Sequence, residues 1–254
     1  MLPHLLPKTD SRFKKWRESL KKRPPPWSKG FTKETHPSVA KISKTFKRKK
    51  IDNFAKWREE AKRKGIIIKD YPPLPQTQEL AFLIGLALGD GNITKFPRTE
   101  CLRIALAAKY PGLIDYTKLT IEKIFNKTPN VRKVKDSACY TVTIYQKNLS
   151  LRLGIPIGSR KKFNYKIPGW ILKERSFLIY FLKGLFEAEG SLSVHLPTCT
   201  YNFQFSNKNP SLLKNVQNSL ELLGYHPEVR LTSTRLRKKL EVESFKQLIQ
   251  FRMH

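Results

Sequence analysis

Two apolar runs stand out from the mixed pattern of the chain: Leu83-Ile-Gly-Leu-Ala-Leu-Gly-Asp-Gly91 and Leu182-Lys-Gly-Leu-Phe-Glu-Ala-Glu-Gly190. Each predicts a helix with a small residue at every fourth position, Gly85 and Gly89 in the first and Gly184 and Ala188 in the second. That spacing gathers the small residues on one face, where two helix backbones can pack closely. Each run ends in an acid followed by glycine, Asp90 or Glu189. A carboxylate at a helix C-terminus opposes the macrodipole. Pairing the helices through their small faces also brings the two acids together, and a bound cation relieves both penalties. Asp90 and Glu189 are therefore candidate ligands for a divalent metal.

After each run the periodicity changes from helical to alternating. In Ser191-Leu-Ser-Val-His-Leu196, Ser191, Ser193 and His195 alternate with aliphatic residues. In Thr200-Tyr-Asn-Phe-Gln-Phe-Ser206, Thr200, Asn202, Gln204 and Ser206 alternate with aromatics. A strict period of two predicts strands with one buried and one wet face. The wet face is made of groups that donate and accept hydrogen bonds, not of the Lys and Glu usual on a merely solvated face. Asn and Gln suit adenine edges, and a two-stranded ribbon fits the DNA major groove. An ordinary wet sheet face is the alternative. The corresponding first stretch offers Asn92, Thr94, Lys95, Arg98 and Arg103.

The two regions repeat each other further along. Helical runs are predicted from Pro111 to Phe125 and from Pro210 to Leu223, followed by Pro129-Asn-Val-Arg132 and Pro227-Glu-Val-Arg230. The Pro-x-Val-Arg pairs are offset by 98 residues and the acids by 99, so two tandem half-domains are expected, 77–175 and 176–254. A pseudo-two-fold relating them would place the motif helices together at its axis. Arg132 and Arg230 are candidate nucleic-acid contacts.

Residues 1–70 read as a separate basic arm, joined through a proline-rich linker at 71–76 that suits no regular structure. Phe13-Lys-Lys-Trp-Arg-Glu-Ser-Leu-Lys-Lys-Arg23 and Phe54-Ala-Lys-Trp-Arg-Glu-Glu-Ala-Lys-Arg-Lys64 match at six of eleven positions and predict two basic helices. Between them, within 26–44, runs Trp27-Ser-Lys-Gly-Phe-Thr-Lys-Glu-Thr35. It resembles the small modular DNA-binding motif attached to many intron-encoded nucleases, with Trp27, Lys29 and Lys33 as candidate contacts. We expect an extended segment there, followed by a short helix tracking phosphates or the minor groove.

Charge points to the substrate. Fifty Lys+Arg against 20 Asp+Glu give +30 on 254 residues, an excess that favours a polyanion. No stretch reaches transmembrane length, so no membrane partner is expected, and the N-terminus lacks a secretory signal pattern. Cys101, Cys139 and Cys199 are scattered without Cys-x-x-Cys spacing, which points to a reducing compartment (cytoplasm, nucleoid or organelle) and against a zinc site. Five dispersed histidines argue against a histidine-metal nuclease.

Over roughly residues 76–254 the chain resembles the single-chain, two-repeat LAGLIDADG homing endonucleases. The match lies in the glycine, small-residue, final-acid and terminal-glycine positions of both runs. The resemblance implies an α+β fold of two αββαββα halves, with the motif helices at the interface and two sheets forming a DNA-binding saddle. It implies Asp90 and Glu189 as catalytic metal ligands, Mg²⁺ as cofactor, double-stranded DNA as partner and a monomer as working unit. Glu187 occupies the motif's other acidic position; its counterpart is Leu88, which leaves Glu187 at most a supporting role. Family members also keep a basic residue near each site. Lys166, before Ile167-Pro168, matches best, with Lys161 and Lys162 as rivals. The same interval after Glu189 runs beyond His254, so the second half is expected to lack this lysine and to cut its strand differently. The preferred function is an intron- or intein-type homing endonuclease, free-standing because splicing segments are missing at both ends. The alternatives are a maturase binding intron RNA and a DNA-binding regulator that does not cleave.

Overall fold

The computed structural model describes residues 9–52, 54–65, 71–160 and 163–252. The chain forms two compact units, Met1–Lys69 and Asp70–His254.

Among its described residues the first unit contains three helices, α1 (Ser11–Lys21), α2 (Pro37–Arg48) and α3 (Ala55–Arg63). The repeated Phe-x-x-Trp sequence thus contributes to α1 and α3, and Phe13 packs on Trp16 with ring centroids 5.6 Å apart. Asp10 caps α1 by accepting the Arg12 N–H at 2.8 Å. The segment before α2 is not extended. It runs first through a double turn, closed by Lys29 N–H to the Pro26 carbonyl and Phe31 N–H to the Ser28 carbonyl, and then through a second turn, closed by Thr35 N–H to the Thr32 carbonyl. Gly30, at φ +85°, permits the first turn. The Thr32 hydroxyl accepts the Glu34 N–H at 3.2 Å in the second. The His36 imidazole then caps α2 at the Ser38 N–H and lies between Trp27 and Phe31, with centroids at 5.7 and 4.7 Å.

The second unit begins at α4 (Gln78–Gly89), whose cap Thr77 accepts the Leu80 N–H at 3.2 Å. Then follow β1 (Gly91–Lys95), β2 (Glu100–Ala107), α5 (Pro111–Phe125), β3 (Asn130–Lys133), β4 (Cys139–Gln146) and α6 (Leu149–Leu153). A short α7 (Gly169–Lys173) leads into the second half. There α8 (Arg175–Glu189), β5 (Gly190–His195), β6 (Thr200–Ser206), α9 (Pro210–Leu222), β7 (Glu228–Val229), β8 (Ser233–Leu236) and α10 (Lys239–Leu248) repeat the αββαββα order. Both sheets are antiparallel, with strand orders β1-β2-β4-β3 and β5-β6-β8-β7. The fold is therefore the expected α+β arrangement.

The inward residues of each sheet meet its own helices. Ile93, Leu102, Ile104, Val142 and Ile144 are buried in the first half, and Phe203, Phe205 and Leu236 in the second, where Phe186 and Phe245 complete an aromatic cluster. Between the halves, α4 packs on α8. A Cβ placed on Gly85 would lie 2.2 Å from the Phe181 carbonyl oxygen, and one on Gly184 would lie 2.1 Å from that of Phe82. The helices touch backbone to backbone, so only glycine fits at these crossings. Among the described residues no helix is long and apolar enough to cross a membrane.

Candidate active site and nucleic-acid interface

The close helix pairing fixes where the motif acids stand. Near its C-terminal end, α4 meets α8 through Gly89 and Ala188: a Cβ on Gly89 would sit 2.3 Å from the Cβ of Ala188. The next residues are Asp90 and Glu189. Burial, then the charge of Glu189, pushes the Asp90 carboxyl up to about 7, against the pull of Arg160. Burial raises Glu189 as well, again opposed by Arg160. Asp90, at the solvent edge, and the partly buried Glu189 thus share a site at two helix ends where ionisation is costly.

Arg160, a residue that sequence reasoning passed over, stands at the same place. Its Nη2 donates to the Gly91 carbonyl at 2.7 Å and to that of Gly89 at 3.2 Å, on either side of Asp90, and its Nη1 donates to the Ala87 carbonyl. A cation at the carbonyl end of α4 offsets the helix dipole and the acids together. Asn209, buried and capping α9, holds the Arg160 segment through its side-chain amide, donating to the carbonyls of Arg160 and Phe163 at 2.8 Å each. Arg160 and Glu189 line one cavity with Asn207, Lys208 and Asn209.

Lys166 is exposed and does not line that cavity, although its neighbour Tyr165 does. The lysine placed there is Lys208. A sequence signal for it exists: Lys208 stands two residues before the α9 proline, as Lys109 stands before the α5 proline, and each follows its acid by the same interval. Lys109 lines a second cavity with Tyr110, Glu187 and Arg252. Glu187 is buried; its Oε1 accepts the Arg252 N–H at 2.7 Å, and Arg252 donates to the Gly190 carbonyl at 3.2 Å. Each half therefore ends in an arginine that grips the glycine after its own motif acid, a correspondence hidden in sequence because the two intervals differ. Lys161 and Lys162 lie outside the described residues.

The sheets carry the other predicted residues. Ser191, Ser193 and His195 stand in register with Gln204, Asn202 and Thr200, so all six occupy one face, opposite buried Phe203 and Phe205, and Ser206 extends it. On the first sheet Asn92 pairs with Arg103, while Asn92 also accepts the Thr94 hydroxyl at 2.9 Å. Lys95, Arg98 and Arg132 are exposed. Arg103 and Arg132 line one groove with Lys133 and Lys135. Arg230 is held by Glu228 at 3.2 Å. Trp27, Lys29 and Lys33 belong to the first unit, where Trp27 is exposed and Lys33 pairs with Glu34.

Residues 176–251, which contain α8, Glu189 and the whole second sheet, match the family model described as a LAGLIDADG-like domain. Residues 78–153 repeat the element order of that matched segment. No curated protein matches the chain. Among solved structures, variants of the homing endonuclease I-DmoI share 18% identity over 68% of this chain and 94% of theirs, with a TM-score of 0.46. I-DmoI in complex with DNA and Mn shares 19% over 68% and 96%, also at 0.46. The N-terminal LAGLIDADG domain of DUF199/WhiA shares 16% over 71% and 86%, at 0.43.

Proposed function

We propose that this protein is a site-specific DNA endonuclease that hydrolyses phosphodiester bonds in a long duplex target. The observation that carries the reading is the juxtaposed pair Asp90 and Glu189 at the ends of two backbone-contacting helices, with a polar-faced sheet belonging to each half. Among the described residues no three His, Cys, Asp or Glu side chains group to hold a metal ion. Two carboxylates still fit a hard divalent cation such as Mg²⁺, which completes its shell with water and substrate phosphate. Both oxygen donors suit that ion and neither suits a soft metal. When bound, the ion supplies charge neutralisation and water activation at the scissile phosphate. The chain itself places the acids, offers Lys208 as a cation for developing phosphate charge, and supplies duplex contacts from Asn92, Arg103, Asn202 and Gln204. Both acids come from one polypeptide, which suits action as a monomer. The basic first unit adds phosphate contacts and hence salt-dependent affinity.

The test is cleavage of a target recovered by site selection, with Mg²⁺. Asp90→Asn and Glu189→Gln should each suppress cutting of at least one strand while binding persists. Parent-like cutting by both variants would show that the acids are not the catalytic pair.

A second reading, a DNA-binding protein that does not cleave, is favoured by Arg160: its guanidinium already compensates the acids and occupies the carbonyls that flank Asp90. Metal-independent binding with no cleavage of the selected site would favour it.

A further inference from the structure

The register of the second sheet aligns one residue from each strand in a single transverse row. Ser191 faces Gln204, Gln204 faces Arg235, and Arg235 faces Glu228. The matching row of the first sheet is Asn92, Arg103, Thr143 and Asn130. Both rows lie on the wet faces, one residue along from the pairs Gly190–Phe205 and Gly91–Ile104. Each contains one arginine, on different strands and in different company. Arg103 opens into a groove lined by Arg132, Lys133 and Lys135. Arg235 is gripped by a carboxylate: its Nε donates to Glu228 Oε2 at 3.1 Å, and its Nη2 donates to Oε1 at 2.8 Å and to Oε2 at 2.9 Å.

An acid on this face needs a reason. The chain carries a net charge of +30, and a carboxylate set against phosphates weakens polyanion binding. An exposed ion pair adds little stability. Glu228 is well exposed, whereas the Arg235 side chain is only 12% exposed, so the acid fixes the guanidinium close to the sheet and keeps it from swinging out to a phosphate. Glu228 takes the Nε–Nη2 edge and leaves Nη1 and the outer Nη2 hydrogen pointing elsewhere. Two parallel N–H donors in that arrangement match the O6 and N7 acceptors of guanine in the major groove. Gln204, next in the row, carries the amide that matches adenine.

We propose that Arg235 is a guanine-reading residue of the second half-site and that Glu228 is its positioning residue. This rests on the duplex-DNA reading above and not on cleavage. The two half-sites then differ in kind. The second sheet reads bases through held and neutral side chains, and the first draws more of its affinity from free cations on phosphates.

The experiment is binding-site selection from randomised duplexes by the full chain, with Ca²⁺ in place of Mg²⁺, followed by titration of the selected site at several salt concentrations. Wild type should select guanine at a position that Arg235→Lys releases, with preference there falling roughly 10-fold or more. Glu228→Gln should weaken preference at the same position while binding to random DNA holds or rises. Arg103→Gln should leave that preference intact and flatten the salt dependence by about one released ion. A clear wild-type site whose base preferences survive both Arg235→Lys and Glu228→Gln overturns this inference alone. No selected sequence for wild type overturns it together with the site-specific reading.

Discussion

Arg160 donates to the carbonyl of Gly91 at 2.7 Å and so closes over Asp90, the residue at the end of α4. The linkage joins the segment after α6 to the start of β1 in the same half. The same guanidinium reaches Gly89 and Ala87, and the charge of Arg160 lowers the cost of ionising both Asp90 and Glu189. The acid pair is thus partly compensated by the chain's own cation. Replacing Arg160 with Gln removes the cation that offsets the Asp90 and Glu189 charges, so the variant is less stable wherever both acids are ionised. The variant should unfold at lower urea in EDTA, and Ca²⁺ should restore more stability to it than to the parent. Arg160→Lys, which keeps charge without the fork, should fall between them. Equal Ca²⁺ gains for parent and Gln variant would show that Arg160 does not stand in for a metal.

The helix crossing makes a sharper demand. Gly184→Ala puts a methyl 2.1 Å from the Phe82 carbonyl, and backbone must move to admit it. Overpacking of this kind costs about 1–3 kcal/mol or more. Gly224→Ala meets no atom within 4 Å, and its φ of +91° adds only the conformational penalty, about 1 kcal/mol. Denaturant midpoints should rank wild type, then Gly224→Ala, then Gly184→Ala. The reverse order would mean that the helices are not locked through their glycines.

The pH dependence of stability follows from Asp90. An unfolded aspartate ionises near 3.8, whereas in the fold burial and Glu189 hold this one at about 7. Between those values the folded state binds the extra proton, so its stability is greatest below the lower value and declines as pH rises through the window. Glu189, shifted in the same direction, acts with the same sign. In EDTA, urea unfolding at pH 5, 6 and 7 should show the parent losing stability relative to Asp90→Asn. Parallel curves for the two proteins would place Asp90 in water.

Much of this architecture is legible in the residues because it repeats. The glycine spacing of Gly85, Gly89 and Gly184 announces a helix crossing, and the alternation from Thr200 to Ser206 announces a two-faced strand. The turns around Gly30 are less visible, since Thr and Lys between aromatics suit an extended chain as readily. The cations of the site are least visible. Lys166 has the more suggestive local sequence, but Arg160 reaches α4 from 71 residues away, through contacts that no local pattern encodes. Glu228 resembles an incidental surface acid until the register sets it beside Arg235.

Lys208 and Lys166 give the last prediction. Lys208 lines the cavity that contains Glu189, and it adjoins the same acid again in a neighbouring hollow with Ser206 and Thr232. Lys166 is exposed and lines neither. If cleavage occurs at this acid pair, charge growing on the phosphate should be met by the nearer ammonium. Removing such a transition-state contact typically costs about 10²–10³ in rate. Lys208→Met should therefore slow one strand by at least tenfold, so that nicked plasmid accumulates before linear product. Lys166→Met should act mainly on affinity, raising the protein concentration needed for cutting while the saturating rate stays near that of the parent. The opposite pattern, with saturating rate lost in Lys166→Met and kept in Lys208→Met, would return the catalytic cation to the Ile167-Pro168 step. It would also require that loop to move onto the acids when DNA binds.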